Sequence, residues 1–440
     1  MIAGLVRQAL RKHPWTFVGP ACTQALAATI VTASLGLRAS MSAANVSSPE
    51  NGLDVVAPLF VMISVYLSLI IVGVTMGSAI SRQARDIALA RTIGAGPGQV
   101  RRAIALQAAV VALPSTAAGY LLGGLVGRLW VDGLVTNGVA PESVTFHGQP
   151  AALPIALAVT LPTSLLGAMI AAIRLSRIRP AAAMSDTAAP RRGAGIVRTI
   201  AGLLFAAGGV FAASRVATLD AEEAGAAAFI IMLAMCAAAG LLGPILLRAG
   251  APLARVFGRT GAIAAGTMAV RARSLSGALV PLALATSFAA VKVAMHTTVA
   301  HVTGVDEARD VLWLDYSGTA VYTAFATVAA LATLVTVTMS RRREFATVRL
   351  AGATRAHALR IVACEAIVVI VTSLVVAAAA AATLLVPLLH ASLGVAMPHL
   401  PAGAVISGVF GVVAVVGLGT VLPAAFLLRR PPLEAVSVDA

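Results

Sequence analysis

Apolar residues run along this chain in long, nearly unbroken stretches, and the polar residues gather in the short segments between them. Ten stretches are each long enough to cross a bilayer as a helix, which takes about 20 residues. They fall near 15–37, 55–80, 103–127, 151–173, 196–214, 225–247, 277–299, 318–340, 361–389 and 402–428. The pattern predicts an all-α integral membrane protein with ten transmembrane helices. Arg7, Arg11 and Lys12 precede the first stretch as they would in a signal peptide. Its apolar run is longer than a typical signal core, so it reads as an uncleaved span. Residues 1–14, with Leu5, Leu10 and those three basic residues, read as an interfacial N-terminal helix.

Composition gives the same class by a separate route. Of the 440 residues, 59% are hydrophobic and 11% are charged, against roughly 25% charged in ordinary soluble domains. So few charges cannot cover a water-exposed surface of this size. A disordered chain, a coiled coil and a disulfide scaffold are excluded with it. Cys22, Cys236 and Cys364 are odd in number, far apart and inside apolar runs, so they read as small buried hydrophobes. Arg supplies every basic residue but Lys12 and Lys292. With the abundance of Ala, this points to a GC-rich bacterial genome.

The formal charge of +15 follows topology and does not call for nucleic acid. The basic residues lie in the N-terminus, 81–102, 174–198, 248–273, 341–360 and the C-terminus; only Arg38, Arg128, Arg215, Arg309 and Lys292 lie elsewhere. With an even number of spans these segments share one side, which the bias of Arg and Lys makes cytoplasmic. The expected location is a bacterial cytoplasmic (inner) membrane, crossed many times, with both termini in the cytoplasm.

The chain also repeats itself. An offset of 258 lays residues 81–127 on 339–385. Arg85-Asp86-Ile87-Ala88 then falls on Arg343-Glu344-Phe345-Ala346, Arg91 on Arg349, Gly94-Ala95 on Gly352-Ala353, and Gln107 on Glu365. An offset of 252 lays Pro180–Ser185 on Pro432–Ser437. Each half is thus four spans with one ordered loop between its second and third. The expected organisation is an interfacial helix over 1–14, a first four-span repeat over 15–186, a two-span connector over 187–260 and a second repeat over 261–440. Both halves start and end on the same side. They are parallel repeats, which implies a pseudo-twofold axis along the membrane normal.

The repeated loops are built as short amphipathic helices. Ile87, Ala90 and Ile93 recur at helical spacing, and Gly94 supplies a left-handed stop; Phe345, Val348 and Gly352 repeat the arrangement. One reading is an interfacial helix whose arginines meet lipid phosphates. The other is a docking helix for a cytoplasmic protein. A basic–acidic pair kept at the same place in both halves favours docking, because paired charges give geometric specificity.

These motifs resemble the FtsX-like ABC transporter permeases, the family that includes the MacB, LolC/LolE and bacitracin-exporter permeases. That family shows R-x-x-E-[IF]-x-x-x-R-x-x-G-[AS] between its second and third spans, then an E near the start of the third. This chain matches it twice, as Arg82/Arg85-Asp86-Ile87…Arg91…Gly94-Ala95 and as Arg343-Glu344-Phe345…Arg349…Gly352-Ala353. Glu365 matches the following E, and Gln107 departs from it. The resemblance implies two FtsX-like four-helix repeats and ATPase-coupling roles for Arg85, Asp86, Ile87, Arg91, Gly94, Arg343, Glu344, Phe345, Arg349 and Gly352. It implies separate cytoplasmic ATPases, two copies per chain as in the bacitracin-exporter type, which hold ATP and Mg. Many members carry a large extracellular domain after the first span of one or both halves. Here those loops, about 38–54 and 300–317, are too short for one.

Residue chemistry within the chain is sparse. No G-x-x-x-x-G-K-[ST] occurs, and no GxSxG, HExxH or carboxylate pair sits in a suitable context. The chain therefore reads as a permease and not an enzyme, with no cofactor of its own. Of the seven histidines, His147, His296, His301, His390 and His399 lie on or near the outer side, and their spacing gathers no ligand set. Lys292 is the one cation within a span. It reads either as a cation snorkelling to headgroups or as a contact for an anionic substrate group. Lys292 and Glu365 are the candidate substrate or coupling contacts inside the membrane. Gly119, Gly123 and Gly127 form GxxxGxxxG, a helix-packing pattern.

The function expected is coupling of ATP hydrolysis to export or extraction of an amphiphilic substrate, a lipid, peptide or drug, across the lipid bilayer. A self-powered secondary transporter and an ATPase-linked signalling or scaffold protein are the alternatives.

Overall fold

The computed structural model describes residues 14–44, 53–92, 94–176, 192–216, 218, 221–305, 307–395 and 397–429. Residues 1–13 of the expected interfacial helix, and the Pro180 and Pro432 segments, lie outside the described residues. Every regular element among the described residues is helical. Nine stretches among them are long and apolar enough to cross a membrane, against the ten expected. The difference lies at Ile230–Thr303, a single stretch by hydropathy that contains two expected spans. It holds α7 (Ala221–Gly250) and α8 (Gly258–Thr303), joined by the tight helical segment Ala251–Phe257. Helix runs through Ala251–Phe257 without a break, so the stretch is continuous although Arg248, Arg255, Arg259, Arg271 and Arg273 lie within it. The close contacts of Gly240 with Val280 and of Gly243 with Ser276 show α7 and α8 running antiparallel.

Contacts divide the chain into two compact units: Met1–Arg191 with Glu307–Phe325, and Arg192–Asp306 with Ala326–Ala440. The first contains α1 (Pro14–Ala43), α2 (Leu53–Arg82), the short α3 (Ala84–Thr92), α4 (Pro97–Thr136) and α5 (Ala152–Ser176). Cross-helix hydroxyl pairs set the direction of its spans. Thr23 bonds Thr75 at 3.0 Å and Ser34 bonds Ser64 at 2.9 Å, so α1 and α2 are antiparallel. Gly73 and Gly77 approach Thr163 and Gly167, so α2 and α5 are parallel. Such hydroxyls satisfy their donors inside the bundle, where lipid offers no partner.

The glycine pattern of the third span lies along α1. A Cβ on Gly119 would stand 2.1 Å from the Ala25 carbonyl oxygen, and one on Gly123 would stand 2.7 Å from that of Thr29. The helices run parallel with their backbones nearly touching. Gly123→Leu is therefore expected to destabilise the protein by about 1–3 kcal/mol through overpacking. Gly124→Leu, with nothing within 4 Å of its Cβ position, is expected to be silent. Equal unfolding temperatures for the two purified variants would overturn this packing argument.

The N-terminal part of α9 (Arg309–Met339) belongs to the first unit by contact, although the repeat assigns the whole helix to the second half. An aromatic group holds it. Tyr322 donates to the Phe60 carbonyl at 3.1 Å, Trp130 Nε1 donates to Ser317 Oγ at 3.1 Å, and Trp313 packs over Gly133.

The second unit contains α6 (Arg192–Val216), α7, α8, the C-terminal part of α9, the short α10 (Arg342–Leu350) and α11 (Arg355–Leu393). Its last span is α12 (Ala402–Val416) and α13 (Leu422–Arg429), joined by a wide helical turn at Gly417–Val421. In the connector, α6 and α7 form an antiparallel pair, with Gly202 against Leu242 and Gly209 against Met235. Pro244 has no N–H to give the Gly240 carbonyl. Arg198 supplies that donor from α6, at 2.6 Å to Gly240 and 2.8 Å to the Leu241 carbonyl. Cys236 and Cys364 are buried as expected, whereas Cys22 is exposed on α1.

Candidate functional site

The two loops singled out by the repeat form α3 and α10, each nine residues long. Each has an acid in its first turn, Asp86 or Glu344, and an Arg in its last, Arg91 or Arg349. That order complements the helix dipole. Each ends on the same two bonds. Gly94 N donates to Arg91 O and Ala95 N to Ala90 O; Gly352 N donates to Arg349 O and Ala353 N to Val348 O. This is the Schellman stop, and it requires the left-handed backbone found at Gly94 (φ 101) and Gly352 (φ 95). The next helix restarts at once. Gly96 N donates to Gln99 Oε1 ahead of α4, and Thr354 Oγ1 accepts from His357 N ahead of α11.

Each short helix has a buried face and an exposed one. Ile87 joins an apolar cluster with Met76, Ile80 and Ile104. Phe345 joins one with Ala358, Val362, Ala424 and Leu428. These two expected coupling residues therefore seat the helices. The exposed face of α3 carries Asp86, Leu89 and Thr92, and that of α10 carries Thr347 and Leu350. The sequence reading passed over Leu89, Thr92, Thr347 and Leu350 because it followed the apolar stripe. The side chains of Arg85 and Arg343 lie outside the described residues.

A polar network braces α10 against α8 and α11. Arg341, just ahead of α10, grips Glu365 on α11 with both terminal nitrogens, at 2.5 and 3.1 Å. Its guanidinium lies 4.9 Å from the Phe345 ring centroid. Glu365 is 4% exposed and also accepts from Thr267 Oγ1 at 2.6 Å. Glu344 pairs with Arg271 and approaches Arg341 at 3.4 Å. Thr267 and Arg271 lie four residues apart on one face of α8, whose 46 residues extend well past the apolar stretch. Arg349 donates to the Leu428 carbonyl at 3.2 Å. Beside α10 a recess of about 250 Å³ opens, lined among others by Ile263, Phe345, His357 and Ile361. Packing on that side is incomplete, so the charged bonds set the helix's place. Arg341, Thr267 and Arg271 were missed in the sequence. Arg341 falls on Gln83 under the repeat offset, and nothing marked the other two.

The remaining candidates lie apart from this network. Lys292 is half-buried on α8. The His301 and His399 rings stack at 4.0 Å, and Thr297 and Thr298 bond the backbone of His399. No group of three or more metal-ligating side chains gathers among the described residues. Only Gly304–Ala308 separate α8 from α9.

These features define a multi-pass, all-helical membrane protein with a matched pair of short helices set between long spans. The model of the FtsX-like permease C-terminal family matches the chain twice, over residues 58–180 and 317–432, which together make more than half of it. The chain belongs to the FtsX-like family of ABC transporter permeases. Each match takes in one short helix and the long span that follows it. No curated protein matches the chain. In general, membership of this family implies a transport component that works with a cytoplasmic ATPase.

Proposed function

We propose that this chain is the transmembrane subunit of an ATP-driven transporter, with α3 and α10 as coupling helices for two separate cytoplasmic ATPase subunits. One observation carries the reading: the same short helix, with the same charge order and the same glycine stop, stands at equivalent places in both halves with one face exposed. Ten spans arranged as 4 + 2 + 4 follow when α7 and α8 are counted separately. Parallel halves present both helices on the Arg-rich side, which the basic bias makes cytoplasmic in a bacterial inner membrane. ATP and Mg are held by the partners. Closure of the ATPases pushes on α3 and α10, and the push moves the spans that flank them.

The substrate is amphiphilic, a lipid, peptide or drug, moved outward or extracted from the membrane. The short loops leave it to be met by the spans. Lys292, the mid-span cation of the sequence pattern, is the contact for its anionic group. Lys292→Ala is expected to lower transport about tenfold, a loss of some 1.4 kcal/mol of interaction, with membrane expression unchanged. Unchanged transport would remove Lys292 from the substrate path. A self-powered transporter would need ion-coupling groups within the spans, and Glu365 is already held by Arg341 and Thr267.

Cross-linking tests the docking claim. Leu89→Cys and Leu350→Cys, each in a chain with Cys22, Cys236 and Cys364 replaced, are expected to cross-link to the ATPase. Ile87→Cys, buried, is not. Absence of cross-links from both exposed positions would contradict the proposal.

A further inference from the structure

The recess beside α10 lies within the second unit, at the level where a span begins on the Arg-rich side. Ile361, which opens the expected span 361–389, forms part of its wall, and Thr267 in that wall bonds Glu365 one turn further along α11. Most of the lining is apolar: Ile263 from α8, Phe345 and Val348 from α10, Ala353 ahead of α11, and Ala358 and Ile361 on it. Its volume, about 250 Å³, falls below the roughly 300–1,000 Å³ of pockets that enclose a whole small molecule. The recess therefore suits a segment of a longer apolar chain.

Its surroundings are basic. Glu344 lines the recess, but Arg271 and Arg341 already bridge that carboxylate, and Arg341 also grips Glu365. The His357 imidazole shares the lining. Arg259 lies exposed on α8, one turn before Ile263 and on the same face. The adjoining segment Ala251–Phe257 exposes Arg255 between apolar side chains, with Val256 83% and Phe257 50% exposed. Arginine interleaved with large exposed apolar groups is the composition of a segment lying at a bilayer surface. A basic pocket beside spans on the cytoplasmic side matches the headgroup of an anionic lipid.

We propose that the recess binds one anionic phospholipid of the cytoplasmic leaflet. A segment of one acyl chain packs against Phe345, Val348 and Ile361, and the phosphate meets Arg259 and His357. The lipid completes the packing beside α10, so leaflet composition sets how firmly that helix is seated. Its consequence for transport rests on the coupling-helix reading; the binding itself does not.

Thiol labelling of the purified full chain in neutral detergent, without any ATPase, tests the binding. Val348→Cys is placed in a chain with Cys22, Cys236 and Cys364 replaced. It is expected to react with a maleimide about tenfold more slowly with added phosphatidylglycerol than with phosphatidylcholine, as near-saturation of a site gives. Leu350→Cys, exposed on α10 and not part of the lining, is expected to react equally with both. Arg259→Gln is expected to weaken the protection of Val348→Cys about fivefold, the share of one arginine at an anionic surface. Ala353→Cys, also in the lining, is the second reporter if Val348→Cys folds poorly. Equal rates with the two lipids at both reporters would overturn the proposal. Protection that appears only on adding the ATPase would also overturn it, and would give the recess to a side chain of that partner. The assay needs no ATPase, so its failure is distinct from a failure of the cross-linking test above.

Discussion

Glu365→Ala is expected to cost about 3–5 kcal/mol, because it removes the close, bidentate counter-charge of the Arg341 guanidinium. The local geometry supports the lower part of that range. Glu365 is 4% exposed and receives both terminal nitrogens of Arg341 as well as the Thr267 hydroxyl. Glu344 stays within 3.4 Å of Arg341, and the open recess that Arg341 lines lets water reach the cation and gives the helix room to shift. The paired change Arg341→Met/Glu365→Met removes both charges and keeps the volume. It is expected to lie within about 1 kcal/mol of the unaltered protein, since apolar replacement of a buried pair is commonly neutral. Thermal unfolding in detergent reads both. A mild Glu365→Ala together with a severe double variant would show that shape, not charge, holds α10.

The second large effect is expected from reversing the two first-turn acids. Glu344→Arg sets a third guanidinium against Arg271 and Arg341, which Glu344 now bridges. Asp86→Arg reverses the charge on the exposed face of α3 and opposes the helix dipole at its N-terminus. Together they are expected to weaken association with the ATPase by more than about tenfold, or some 1.4 kcal/mol. The unfolding temperature of each single variant separates an effect on folding from one at the interface. Glu344→Arg is expected to lower it, because its partners lie within the chain. Normal ATPase assembly by the double variant would contradict a docking role for these helices.

The hydrophobic pattern made most of the fold legible, because a bilayer sets a length that apolar runs either reach or miss. It placed two spans within Ile230–Thr303, but it gave no sign that helix would run on between them through Ala251–Phe257 and the arginines of 248–273. It also gave no sign that the N-terminal part of α9 would pack with the first unit. That placement depends on where Phe60, Trp130 and Trp313 sit in space, and side-chain packing leaves no period in the sequence. The short helices were legible at their ends, since Gly94 and Gly352 announce the left-handed stop. Their faces were less so. The apolar stripe marked Ile87 and Phe345, and those residues turned inward to hold the helices. The brace was the least legible part. Thr267 and Glu365 are 98 residues apart, and α8 brings Thr267 and Arg271 within reach only by running on beyond its apolar stretch.

The most direct test of the central claim is to purify the tagged chain from its native membrane under gentle conditions and to identify and count the soluble protein that accompanies it. The account predicts a Walker-motif ATPase at two copies per chain. A chain that transports its substrate with no ATPase bound, driven by an ion gradient, would contradict it.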